Sequence, residues 1–234
     1  MRSILGIFVF TTAFVVAPVG AALAHGGGSE PGPSGMVTAT PRNGADAAKS
    51  AYNAGVRNIK RAQEYDADAA KASTPEKAAK AHDKAQKAYH DSIGSFIDAV
   101  GANPKMYEAW NYLGFANRHL GNYEDALSSY AKALEINPNF PNAIEYRGEA
   151  YLGLNQIEEA KGAYMALFRD SRPLADELMA AMHRWADAHK QDAQGLSSAD
   201  VDAFTKWMDE RASVAAQTAS LATGAVQPWR PGLR

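Results

Sequence analysis

Cysteine is absent from all 234 residues, so no disulfide can brace this chain and no thiolate can hold a metal or attack a substrate. Strand-like alternation is almost absent as well, which argues against a fold built on a sheet. An excess of either charge is missing: 24 basic residues stand against 26 acidic ones, far from the positive balance that nucleic acid requires. No HExxH, phosphate-cradling glycine loop or nucleophile elbow occurs, so none of the common enzymatic signatures is present. The one extended apolar run, Ile4 to Val19, is broken by Gly6, Thr11, Thr12 and Pro18 and is short for a membrane span.

That run has a different meaning. Met1-Arg2-Ser3 precedes it as a short basic lead, and Ala22-Leu23-Ala24 follows as a small-x-small cleavage site, which makes residues 1–24 a secretory signal peptide. No Cys follows for lipid attachment and no twin arginines precede, so export by the general route is expected. The mature chain should then be periplasmic or secreted, without stable membrane insertion. Cleavage removes only Arg2 among the charges, leaving 23 basic side chains against 26 acidic and a formal charge of −3. Cleavage also makes His25 the new N-terminus, where amine and imidazole together could chelate copper; copper binding or delivery through His25 is the alternative functional reading. Residues 25–44 are dominated by Gly, Pro, Ser and Thr and read as a disordered linker; residues 223–234 read as a flexible tail.

Between them the chain is rich in Ala, Lys, Glu, Leu and Tyr, and the turn chemistry marks helix ends. Thr74-Pro75-Glu76 combines an N-cap, a proline at the first helical position and an acid in the first turn. Asn103-Pro104 and Asn137-Pro138 close helices, Gly121-Asn122 and Leu154-Asn155 turn the chain, and Ser197 with Asp200 is a looser capping pair. Eight helices result, near 45–72, 75–101, 105–119, 123–136, 141–153, 157–169, 173–189 and 198–221. Their short connections imply antiparallel neighbours.

An offset of 34 residues aligns the chain with itself. It pairs Phe96 with Tyr130 and Tyr164, Ser92 with Ala126 and Ala160, Ala99 with Ala133 and Leu167, Gly114 with Gly148, and Pro104 with Pro138. With this pattern the chain resembles the tetratricopeptide repeat family. The unit 107–140 supplies Trp110, Leu113, Gly114, Ala126, Tyr130, Ala133 and Pro138, with Asn117 where Tyr is usual. The unit 141–173 supplies Ile144, Gly148, Tyr151, Ala160 and Tyr164, but has Arg147 in place of Leu and its Pro173 one residue late. Degenerate units are expected at 45–106 and 174–221, the whole helical domain covering 45–222. The resemblance implies an all-α, right-handed solenoid of about four antiparallel helix pairs, with the helix carrying Phe204, Trp207 and Met208 as a C-terminal cap.

Close packing assigns Gly114 and Gly148 to the approach of the two helices within a unit, opposite the small Ala126 and Ala160. In the first unit Ile59 and Ser92 lie 33 residues apart, against 9 from Asn117 to Ala126, so 24 residues are in excess. An elongated first helix pair, projecting by about 18 Å, accommodates them; its alanine face either packs against itself or serves as a partner-binding arm. Arg147, at a position normally packed, requires a carboxylate or carbonyl from another helix or from a ligand, since no acid stands three or four residues away.

The histidines do not suggest a metal site. His82 and His90 are eight apart and His183 and His189 six apart, neither spacing placing two ligands on one helical turn, and they read as solvated surface residues. No cofactor and no catalytic residue is expected. The resemblance implies instead a non-catalytic scaffold or assembly factor of the cell envelope that binds a protein or peptide, the chain's own tail with Trp229 and Arg230 in a homo-oligomer being one such peptide. The family's groove positions fall on Asn53, Arg57, Lys60 and Arg61; then on Glu108, Asn111, Phe115, Arg118 and His119; then on Asn142, Glu145 and Glu149, with Leu152, and Met179 and His183 continuing the path. The groove is thus basic at its start and acidic further along. The carboxylate clamp found in some members is not reproduced, because its places hold Asn53, Arg57, Tyr112, Asn142 and Tyr146.

Overall fold

A computed structural model describes residues 44–191 and 195–223, with side chains for 44–190 and 195–218. The signal segment, His25 and the tail lie outside it. The described residues form eight helices: α1 Gly44–Ala70, α2 Pro75–Ala102, α3 Tyr107–His119, α4 Tyr123–Ile136, α5 Pro141–Gly153, α6 Ile157–Asp170, α7 Arg172–Gln191 and α8 Ser198–Thr223. The helix ends follow the turn chemistry. Thr74 Oγ1 accepts a hydrogen bond from the Lys77 N–H at 3.3 Å, and Asp200 N–H donates to Ser197 Oγ at 3.1 Å while the Ser197 hydroxyl donates to Asp200 Oδ2 at 2.6 Å.

The two central helix pairs turn alike. Asn122 N–H donates to Asn117 O at 2.9 Å and Gln156 N–H to Tyr151 O at 2.9 Å, closing α3 and α5 by the same wide loop. Each loop needs one residue in the left-handed region, filled by Gly121 (φ +79°) and by Asn155 (φ +59°), the side chain that tolerates it best after glycine. Asn117 is accommodated because its buried amide finds partners: Nδ2 donates to Leu113 O at 3.1 Å and Oδ1 accepts from Asn122 Nδ2 at 3.3 Å.

Phe96, Tyr130 and Tyr164 occupy equivalent places and are all fully buried. The glycine opposite each ring is not where close packing alone puts it. A Cβ on Gly55 would stand 2.6 Å from the Phe96 ring, and one on Gly114 2.6 Å from the Tyr130 ring, so these glycines make room for an aromatic side chain and not for Ala126. Gly148 differs again: its missing Cβ would meet Leu178 of α7 at 2.6 Å and Ala163 at 3.2 Å, so it admits the next unit.

The 24-residue excess is taken up by α1 and α2, which have 27 and 28 residues against 13 or 14 in α3 to α6. Their alanine seam packs against itself, with Ala62, Ala85 and Ala88 buried together and the Tyr89 hydroxyl donating to Asp66 Oδ2 at 2.8 Å across the pair. At the other end α8 covers the last pair: Val201, Phe204 and Met208 bury against Tyr164, Leu178 and Met182, and Lys161 Nζ lies 5.6 Å from the Phe204 ring centre and 5.5 Å from that of Trp207.

Two side chains depart from expectation. Arg147 has no ion pair; its guanidinium lies over Tyr151, 5.9 Å from the ring centre and one helical turn on, and its buried Nε has no hydrogen-bond partner. A ring face thus replaces the expected carboxylate. His189 is not a solvated surface residue: it is 7% exposed, stacks on Trp185 at 3.9 Å, and places Nδ1 2.8 Å from the Trp185 carbonyl oxygen.

Candidate partner-binding groove

Helices α3, α5 and α7, each the first of its pair, lie side by side with α5 in the middle. Arg118 of α3 crosses to α5, where Nη1 is 2.6 Å from Glu149 Oε2, and these side chains are only 15% and 18% exposed. The guanidinium also lies over the rings of Phe115 (5.3 Å) and Tyr146 (5.5 Å). Burial opposes the charge on Arg118, but Glu149 outweighs it and holds the pKa above its ordinary value. On the far side, Nη2 of Arg184 from α7 stands 3.9 Å from Glu149 Oε1, so one carboxylate bridges cations of two neighbouring helices.

Around this bridge several buried polar atoms lack partners. Glu145, 3% exposed, has an Oε2 without a hydrogen bond; so do Asn111 Oδ1, Arg118 Nε and Tyr130 Oη. Burial, and then the neighbouring Glu149, push the Glu145 carboxyl up to about 8. An unmet buried group costs about 1–3 kcal/mol, so a concentration of them along one face marks a surface whose partners are supplied from outside the chain.

Two recesses flank the bridge and share Glu149 and Arg184. One, of about 360 Å³, is also lined by Arg118, His119, Leu152 and Trp185. The other, of about 270 Å³, is lined by Glu145, Tyr146, Glu177 and Ala180 besides the shared pair. His119 stacks on Tyr89 with ring centres 4.5 Å apart and sits 4.4 Å from Phe115. Desolvation and the adjacent Arg118 push its imidazole down, while the solvent that still reaches its outer edge limits the fall.

The structure therefore gathers only part of the expected set. Arg118, His119, Glu145 and Glu149 converge. Asn111 and Phe115 are buried, and Phe115 belongs to an aromatic ladder, 6.3 Å from Tyr112 and 5.1 Å from Tyr146. Glu108 and Asn142 are half-buried and line neither recess. Asn53, Arg57, Lys60 and Arg61 are exposed on the long first helix, away from both recesses, and Arg61 lines a separate hollow with Tyr65, Lys84 and Lys87.

Glu177 and Arg184 were missed by the repeat, which points to Met179 and His183. The cause is a shortened connection. Four residues join α4 to α5 but only Ser171 joins α6 to α7, so α7 starts 31 residues after α5, whereas α5 starts 34 after α3. Counting from Pro141 to Arg172 brings Glu145 and Glu149 to 176 and 180, beside the residues that actually line the recess. The Ser171-Arg172-Pro173 step carries that signal in the sequence.

Comparison with known proteins agrees with this architecture. Two tetratricopeptide repeat profiles match the chain, one over residues 107–140 and a second over 129–162. The chain is a tetratricopeptide repeat protein, residues 107–162 carrying the family's sequence. Among curated proteins none matches it as a relative. Similar solved structures include the first such domain of Spaghetti (RPAP3) bound to the HSP90 peptide SRMEEVD, at TM-score 0.45 and 19% identity over 61% of this chain and 95% of that one. The second domain of human RPAP3 in complex with the HSP70 peptide SGPTIEEVD aligns at TM-score 0.42 and 16% identity, over 61% and 98% of the two chains. Likeness at that level assigns no ligand to this chain.

Proposed function

We propose that this protein is an exported, non-catalytic scaffold that holds a protein or peptide of the cell envelope in the groove formed by α3, α5 and α7. The observation that carries the reading is the Arg118–Glu149–Arg184 bridge with its unpartnered neighbours: three helices direct half-buried, incompletely satisfied polar groups to one face. The repeat architecture supports it, because stacked helix pairs present an extended surface for another chain. Export is supported by the sequence of residues 1–24, and cleavage before His25 is checked by N-terminal sequencing of the secreted or periplasmic fraction.

Photocrosslinking in the native envelope tests the binding role. A crosslinking residue placed at His183 or Ala180, beside the recesses, is expected to capture a defined partner, while one at the exposed Ile97 of α2 is not. Arg118→Glu is expected to abolish the capture. Equal capture at both places, or capture unaffected by Arg118→Glu, overturns the reading.

A further inference from the structure

The recess between α5 and α7 has a more specific chemistry than the groove as a whole. Three carboxylates line it, from Glu145 and Glu149 on α5 and Glu177 on α7, with Arg184 the one cation. Glu149 is committed to Arg118 and approached by Arg184; Glu177 forms no ion pair among the described residues; and Glu145 holds an oxygen that is buried and without a donor. An acid placed out of water in this way needs N–H groups brought to it. We propose that the recess is the specificity pocket of the groove and receives a basic side chain, an arginine before a lysine, from an extended partner peptide. The inference rests on the groove reading above.

Size and geometry select the occupant. At about 270 Å³ the recess is too large for a bare metal ion and large enough for a guanidinium with its methylene stem. No group of three His, Asp or Glu among the described residues is arranged to hold a metal. A planar fork of five donors can serve two carboxylates at once, here Glu145 and Glu177, which a point-like ammonium does less well. The ring of Tyr146 supplies an aromatic wall beside them.

The same arrangement couples binding to pH. The groups facing Glu145 are Glu149 on its own helix, Arg118 on α3, and Glu177 and Arg184 on α7. With the carboxyl held up to about 8, the empty pocket carries a proton at neutral pH, and an entering cation expels it. Affinity therefore rises with pH, about fivefold from pH 7 to pH 8, and one proton is released per cation bound below that range.

The test uses the full mature chain, isotope-labelled, titrated at pH 8 with Nα-acetyl-arginine methylamide, its lysine analogue and its norleucine analogue. Saturable NMR shifts confined to 142–149 and 176–185 are expected, strongest for arginine and absent for norleucine. Glu177→Gln is expected to weaken arginine at least fivefold, and Glu145→Gln to weaken it and erase the pH dependence while the circular dichroism is unchanged. Absence of saturable shifts, equal response to norleucine, or full affinity in both variants overturns the proposal. A displayed random-peptide library separates its failure from that of the groove: Arg118-dependent peptides that lack a basic residue and are not displaced by blocked arginine sink the pocket alone. A library yielding no binder overturns the groove and the peptide part of this inference together.

Discussion

Two faces of the same repeats follow opposite rules. Between the helices of each pair, residues 34 apart are interchangeable: Phe96, Tyr130 and Tyr164 each place one ring in a fully buried site. Along the groove the same step pairs Asn111 with Glu145, Phe115 with Glu149 and Arg118 with Leu152. A position that stacks against its own copy must satisfy the same geometry each time, so packing enforces the period. A position that faces a ligand need match only that ligand, so the period carries no chemistry there.

The contrast can be broken from the packed side first. Tyr130→Ala is expected to cost about 4 kcal/mol in urea unfolding, by transfer and cavity together, whereas Tyr130→Phe should stay within about 1 kcal/mol because the lost hydroxyl has no partner. Next comes Gly114→Ala, whose Cβ would stand 2.6 Å from the Tyr130 ring; a loss of about 2–3 kcal/mol is expected. The same change at Gly94 of α2, where nothing lies within 4 Å, should stabilise by about 0.5–1 kcal/mol. A shared sign for these two substitutions would refute the assignment of Gly114 to the ring.

The groove should respond in the reverse sense. Because Glu145 is held up to about 8 against an ordinary 4.5, the folded chain binds the extra proton between those values, and its stability falls as pH rises through that window. Glu145→Gln removes this loss: a gain of about 2 kcal/mol is expected at pH 8, shrinking to nothing near pH 4, in thermal melts across that range. A variant equally stable or less stable at pH 8 would place Glu145 with the packing residues. The smallest effect belongs to a residue on neither face. Thr74→Ala should cost about 1 kcal/mol, seen as faster amide exchange at the start of α2 with both recesses unaffected.

Most of the fold was legible because its signals are local. Thr74, Ser197 and the Asn-Pro pairs state helix ends within a few residues, and aromatic rings at a constant interval state the stacking. The site was legible in part. Arg118, Glu145 and Glu149 fall at groove positions of regular units, but Arg57 and Lys60 belong to the lengthened first pair and line neither recess. Glu177 and Arg184 escaped because a loop shortened by three residues shifts the helix that carries them. Burial was the least visible property: no spacing rule distinguishes Phe115, locked between Tyr112 and Tyr146, from an open groove residue, since that depends on which rings arrive from adjacent units.

The single-residue step at Ser171 reaches beyond numbering. A solenoid of constant period reads its ligand like a ruler with equally spaced marks, and a bound peptide can slide by one mark with little penalty. Here the interval from α3 to α5 differs from the interval from α5 to α7, so two sets of marks fall out of phase at the Glu149 bridge. Only one alignment of an extended chain then satisfies both intervals, and the groove has a built-in zero point.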